Sequence, residues 1–230
     1  MEDNIMNLVV VGVISWTTAF VLTRRMFPKR SFDFSNRVVS TIHATLAVIL
    51  SSLSVQDWSC PACPLASKAS PKQMQTLVVS LSYMMYDLVC SSFDKRISLD
   101  NSIHHLVSIV GFGAVLAYGR GASEVVAALW VSEISSPFLH MRELLKEFGY
   151  RDTDLNLAAD ILFAVIFTLG RMVGGPYVTY TTLSASNPFV IKAMALSLQL
   201  VSAFWLYKIM RMVKYKLTKR ASSSTVAPKN

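Results

Sequence analysis

Four histidines and three carboxylates stand inside otherwise apolar runs of this chain: His43, the adjacent pair His104-His105 and His140, with Asp87, Glu133 and Asp160. A titratable group is expensive in such a setting, which makes each one a candidate functional group. A histidine beside a carboxylate such as Asp87 or Glu133 can take and return a proton near neutral pH. It can also attack as a nucleophile. Neighbouring helical residues point about 100° apart, so one of His104 and His105 can face a cavity while the other bonds a neighbouring helix. The same groups suit interhelical hydrogen bonds, worth about 0.6–2 kcal/mol, and for any single residue both uses stay open. No metal is expected: di-iron membrane enzymes carry several histidine boxes, and no H-x-x-H spacing occurs here.

Tyr83 and Tyr86 lie three apart on one helix face next to Asp87, where they line a cavity or pack against a neighbour. Ser135-Ser136-Pro137 predicts a kink that frees backbone carbonyls, which line the cavity or are satisfied by the serines. Cys60 and Cys63 form C-P-A-C in a loop and read as a local disulfide or two thiols. A redox-active pair would need a helix N-terminus, and zinc would need two further ligands. Cys90 reads as a small packing residue.

The elements that must position these groups are apolar segments. The 230 residues are 53% hydrophobic and 16% charged, against about 25% charged in a soluble domain. Seven apolar blocks appear, at residues 5–22, 38–55, 74–92, 102–118, 122–141, 155–174 and 190–213. Most have the length that crosses a hydrocarbon core of about 30 Å at about 1.5 Å per residue. Backbone groups in lipid must be satisfied within the segment, so the blocks are helices. The fold class is therefore all-α integral membrane with about seven transmembrane helices. Helices two to seven are expected to surround a polar cavity facing the cytosol. The acidic start, Met-Glu-Asp-Asn, argues for a retained first helix over a signal peptide.

The net charge of +8 then reports orientation. With seven spans, seventeen of the 22 basic residues fall on one side, among them Arg24, Arg25, Lys95, Arg96, Lys146, Lys219, Arg220 and Lys229. The positive-inside rule puts that side and the C-terminus in the cytosol, and the N-terminus in the lumen or outside. Nucleic acid is not expected as a partner. All four histidines and the three carboxylates then share the cytosolic half of the membrane. Arg171 is placed near the lumenal end of its helix, where snorkelling to headgroups would explain it.

The run Arg37-Val-Val-Ser40-Thr-Ile-His43, then Tyr83-x-x-Tyr86-Asp87, His104-His105 and Glu133-Ile-Ser-Ser-Pro137-Phe-Leu resembles the TLC-domain family. That family includes ceramide synthases and a translocon-associated membrane protein. The resemblance runs from about Lys29 to Tyr215 and is strongest to the small stand-alone members. It implies residence in the endoplasmic reticulum. It divides the chain into an N-terminal helix and link (1–28), the multi-helix domain (29–215) and a basic flexible cytosolic tail (216–230). In ceramide synthases the histidine pair and two later aspartates are taken as the active site, in acyl transfer from acyl-CoA to a sphingoid amine. His104 and His105 match the pair, Glu133 stands at the first aspartate, and Ser136 at the second, so that carboxylate is absent.

The expectation is a multi-pass membrane protein that handles lipid or acyl chains and affects membrane lipid composition. The alternative is an acyl-CoA-dependent lipid N- or O-acyltransferase with His104, His105, Asp87 and Glu133 as catalytic groups. The substrate would touch His43, Tyr83, Tyr86, Ser136, Pro137, His140 and Asp160. No cofactor is expected, with acyl-CoA a substrate under the alternative. Partners are membrane lipids, and a homodimer stays open.

Overall fold

A computed structural model describes the backbone of residues 2–93 and 99–226, with side chains from 4 to 218. Lys95, Arg96 and Lys229, and the side chains of Lys219 and Arg220, lie outside the described residues. The secondary structure is helical. In chain order come α1 (Glu2–Met26), α2 (Phe32–Ser54), α3 (Pro71–Ser92), α4 (Leu99–Tyr118), α5 (Ala122–Glu133) and α6 (Ser136–Glu147). Then follow α7 (Asp154–Phe167), a π-helical stretch (Thr168–Gly174), α8 (Gly175–Ser184) and α9 (Phe189–Val226).

The helix starts follow capping chemistry. Ser31 and Thr153 accept backbone N–H bonds from Phe34 and Asn156, at 2.9 and 3.3 Å. Ser70 and Gln73 form a reciprocal capping box ahead of Pro71, so donors that a helix start leaves unpaired are met locally. The chain is an all-α membrane protein. Five segments are long and apolar enough to cross a membrane: Asn4–Met26, Phe32–Ser54, Leu99–Tyr118, Asp154–Ser184 and Phe189–Thr218. The sequence-based third and fifth segments are not among them. α3 has the length, but it carries the buried polar Gln73, Thr76, Ser80 and Ser82, consistent with a helix surrounded by protein. The fifth is broken into two helices of 12 residues each.

The break falls where expected, because Pro137 has no N–H to give the carbonyl of Glu133. The serines do not take up the slack. The carbonyl of Ser132 instead accepts Arg171 Nη2 at 2.8 Å, from the π-helical stretch. That stretch approaches α5 closely through two glycines four residues apart. A Cβ on Gly170 would sit 3.0 Å from the Val131 carbonyl oxygen, and one on Gly174 would sit 3.2 Å from a Val131 methyl.

One end of the bundle gathers the α1–α2 and α6–α7 links and the far part of α9. Arg30 donates to the Glu147 carbonyl at 3.0 Å, and Ser31 N–H to the Glu147 carboxylate at 3.1 Å. Lys216 bonds Asn156 and Asp160. At the other end, Ala66 N–H and Asn187 Nδ2 both donate to the fully buried Glu124, at 2.6 and 2.8 Å. This carboxylate joins the α2–α3 and α8–α9 links to the start of α5. Cys60 and Cys63 are disulfide-bonded in the α2–α3 link, and Cys90 packs in the core.

Candidate functional site

Asn36, Ser40 and His43 are spaced four and three apart, so they share one face of α2. That face looks at the last turns of α3, and the contacts form a chain. Tyr86 Oη donates to Asn36 Oδ1 at 2.8 Å, and Asn36 Nδ2 donates to Asp87 Oδ1 at 2.7 Å. The second Asp87 oxygen lies 3.3 Å from His105 Nε2 on α4. Asp87 is thus fixed by Asn36 on one oxygen and faces an imidazole with the other. His105 Nδ1 has no hydrogen-bond partner among the described residues. A tautomer with Nε2–H toward the carboxylate leaves the lone pair on Nδ1, which is buried, and the carboxylate orients the ring as it would a general base.

A second cluster stands beside the first. His43 stacks on Tyr83, with ring centroids 3.7 Å apart and planes within 6°, and Trp16 of α1 meets both rings edge-on. Tyr83 Oη donates to Ser40 Oγ at 2.8 Å. His104 turns away from Asp87 and packs against Trp205 of α9 at 4.9 Å between centroids. Trp205 is itself held by its indole N–H on Asp100.

Apart from Tyr86 and Trp16, these groups line one cavity of about 620 Å³, within the size range of small-molecule sites. Its lining comes from the first turns of α2 and α4, the last turns of α3, and α6, α7 and α9, so it lies at the Glu147 end of the bundle. The cavity has two kinds of wall. Asn36, His43, Asp87 and His105 make a polar side from α2, α3 and α4. Leu139, Phe163, Phe167, Ile209 and Met212 make an apolar patch on α6, α7 and α9, beside His140, Arg142 and Lys208 of the same helices. A smaller crevice of about 40 Å³ adjoins it, sharing Met84, His104 and Glu133, and continues between Phe112, Leu129, Ile191 and Leu198.

Of the residues singled out in the sequence, His43, Tyr83, Asp87, His104, His105, Glu133, Ser136 and His140 line the cavity. Tyr86, Pro137 and Asp160 are not among the lining residues. Tyr86 acts from behind, through Asn36. Pro137 shapes the break. Asp160 is taken up by two cations, with Arg142 Nε 3.1 Å from one oxygen and Lys216 on the other. Glu133 forms no ion pair with either histidine of the pair among the described residues.

Sequence reasoning missed Asn36 and misplaced Arg171. The segment 155–174 puts Arg171 near a helix end, but the helix runs from Asp154 to Ser184 and holds Arg171 near its middle. The side chain is buried and lines the cavity instead of snorkelling. Phe167 and Trp205 flank its guanidinium, each centroid 5.3 Å away. Gly-Gly-Pro at 174–176 reads as a stop, and only the π-helical stretch carries the helix through it. A lone arginine among glycines in an apolar run was the available signal.

The TLC-domain pattern matches residues 33–211. The chain belongs to the TLC-domain family. The match starts in the first turn of α2 and ends within α9, so it takes in both clusters except Trp16, and Arg171, while α1 precedes it. Among curated proteins, the chain is similar to TLC domain-containing protein 4-B of Danio rerio. The two are 27% identical over 200 residues, which is 80% of this chain and 75% of that relative. TLC-domain proteins are in general membrane proteins linked to lipid metabolism or handling.

Proposed function

We propose that this TLC-domain protein binds a lipid acyl chain in the two-walled cavity and so affects membrane lipid composition. The observation that carries the reading is the pairing of a polar wall with an apolar one in a space of about 620 Å³. An amphiphile satisfies both walls, whereas a purely polar solute leaves Phe163, Phe167 and Ile209 wet. The adjoining apolar crevice supports the same reading. In this proposal the cavity end faces the cytosol of the endoplasmic reticulum, following the basic residues. Lipids co-purified with the full chain should be identified by mass spectrometry, beside Leu139→Trp, which fills the apolar wall. Wild type is expected to retain a defined single- or double-chain lipid and the variant to lose it. Equal lipid profiles in the two would refute the reading.

A second reading rests on a separate observation, the His105–Asp87 contact buttressed by Asn36. In it, His105 takes the proton from the amine or hydroxyl of a lipid acceptor. The acceptor attacks the carbonyl of an acyl thioester, and the thiol of CoA leaves with a proton. Incubating the purified protein with acyl-CoA and a panel of acceptors should then release thiol, and His105→Ala should stop the release. Absence of release with every acceptor leaves binding alone.

A further inference from the structure

Arg171 is a cation buried near the middle of a membrane-length helix. It is 5% exposed, and it forms no ion pair among the described residues. Glu133 faces the same cavity, takes the Ser136 hydroxyl, and acts on Arg171 electrostatically from beyond ion-pair distance. The protein partners of the guanidinium are neutral: the Ser132 carbonyl at 2.8 Å and the Ser202 hydroxyl at 3.4 Å. The rings of Phe167 and Trp205 add cation–π contact. Nε–H has no partner. A guanidinium carries five N–H donors in a planar fork that matches carboxylate and phosphate, and an ion buried unpaired is unfavourable by several kcal/mol.

We infer that Arg171 is an anion anchor, and that the cavity's ligand is an amphiphile whose oxyanion head, carboxylate or phosphate monoester, docks on its guanidinium where that group lines the cavity. The inference rests on the acyl-chain reading above and deepens it, because it adds a headgroup class that the two walls alone do not require. The position of the anchor fits. Arg171 lines the large cavity, and its partner Ser132 lines the adjoining apolar crevice. A head held there lies where the polar volume meets the apolar one. The mouth cations do not compete for the role, because each is already spoken for: Arg37 by Asp33, Arg142 by Asp160 and Glu143, and Lys208 by Asp100.

The test is headgroup selectivity at constant chain length, with the full chain in nanodiscs. Palmitate, hexadecanol, a palmitoyl lysophosphatidate and inorganic phosphate are titrated against tryptophan fluorescence, with native mass spectrometry for stoichiometry. Wild type is expected to bind palmitate or the lysophosphatidate about tenfold tighter than hexadecanol, the size of one charge-assisted contact. Arg171→Gln should erase that preference while hexadecanol binding changes by less than about twofold. Arg171→Lys keeps the charge without the fork and should show an intermediate preference, and it serves alone if Arg171→Gln does not fold. A loss of fold, as opposed to a loss of the anchor, would weaken hexadecanol equally. No wild-type preference, or a preference that survives both variants, overturns the anchor and leaves the acyl-chain reading standing. If no chain binds but inorganic phosphate does so through Arg171, the anchor stands with a soluble anion and the acyl-chain reading falls. Binding of none of the four overturns both.

Discussion

Replacing Asn36 by Ala leaves two buried neighbours stranded at once. Asp87 Oδ1 loses the donor at 2.7 Å, and the Tyr86 hydroxyl loses its acceptor at 2.8 Å. A buried carboxylate stripped of a donor is penalised far more than a neutral group, so Asn36→Ala is expected to lower stability by about 1–3 kcal/mol. Tyr86→Phe leaves Asp87 its donor, removing the bond to Asn36 and the contact with Cys90, and should cost about 0.5–1.5 kcal/mol. Denaturation of both variants in one detergent decides it: if Asn36→Ala is no worse than Tyr86→Phe, Asn36 does not hold the acid. The contrast also marks what was legible at this scale. His43, Asp87, His104, His105 and Glu133 stand out because ionisable types are rare in apolar helices. Asn36 is neutral and lies ahead of the block that begins at residue 38, so only its spacing to Ser40 and His43 pointed to it.

Among the elements, the π-helical stretch decides where the buried cation goes. Stretches of this kind recur at functional sites because they re-aim side chains. Here Gly170 and Gly174 let the backbone settle against Val131, which brings Arg171 to the Ser132 carbonyl. Gly170→Ala puts a methyl 3.0 Å from a backbone oxygen, which has no rotamer to move to. We expect about 1–3 kcal/mol of destabilisation, as for other overpacked positions, together with weaker ligand binding. Gly113 is the control, because a Cβ there meets nothing within 4 Å. Equal melting temperatures for Gly170→Ala and Gly113→Ala would refute the close-approach argument. Periodic apolarity and capping residues made most of these elements readable. The π-helical stretch was not, because it depends on a tertiary fit between two glycines and α5. The length of α9 was hidden for a different reason. Its basic end lowers hydropathy without breaking the helix, so Lys216, assigned by sequence to a flexible tail, in fact reaches back to Asp160.

For the whole molecule the consequence is one of sides. The Cys60–Cys63 disulfide and the Glu124 junction lie at the end away from the cavity. The cavity shares its end with Arg30, Lys146 and Lys216. Disulfides persist in oxidising compartments and basic clusters stay in the cytosol. The proposed orientation, with the cavity end in the cytosol, accommodates both the disulfide and the basic residues, which are different residues at opposite ends. A membrane-impermeant maleimide applied to sealed microsomes after mild reduction should therefore leave Cys60 and Cys63 unlabelled until the membrane is opened. A cysteine introduced at Lys214, exposed on α9, should label without opening. The experiment uses Cys90→Ser to remove background from the core thiol, and a Cys60→Ser, Cys63→Ser double variant to assign the signal. Labelling of the native pair in sealed vesicles would reverse the orientation. The polar cavity would then open to the lumen, out of reach of cytosolic acyl-CoA, and the acyl-transfer reading would fall while lipid binding survived.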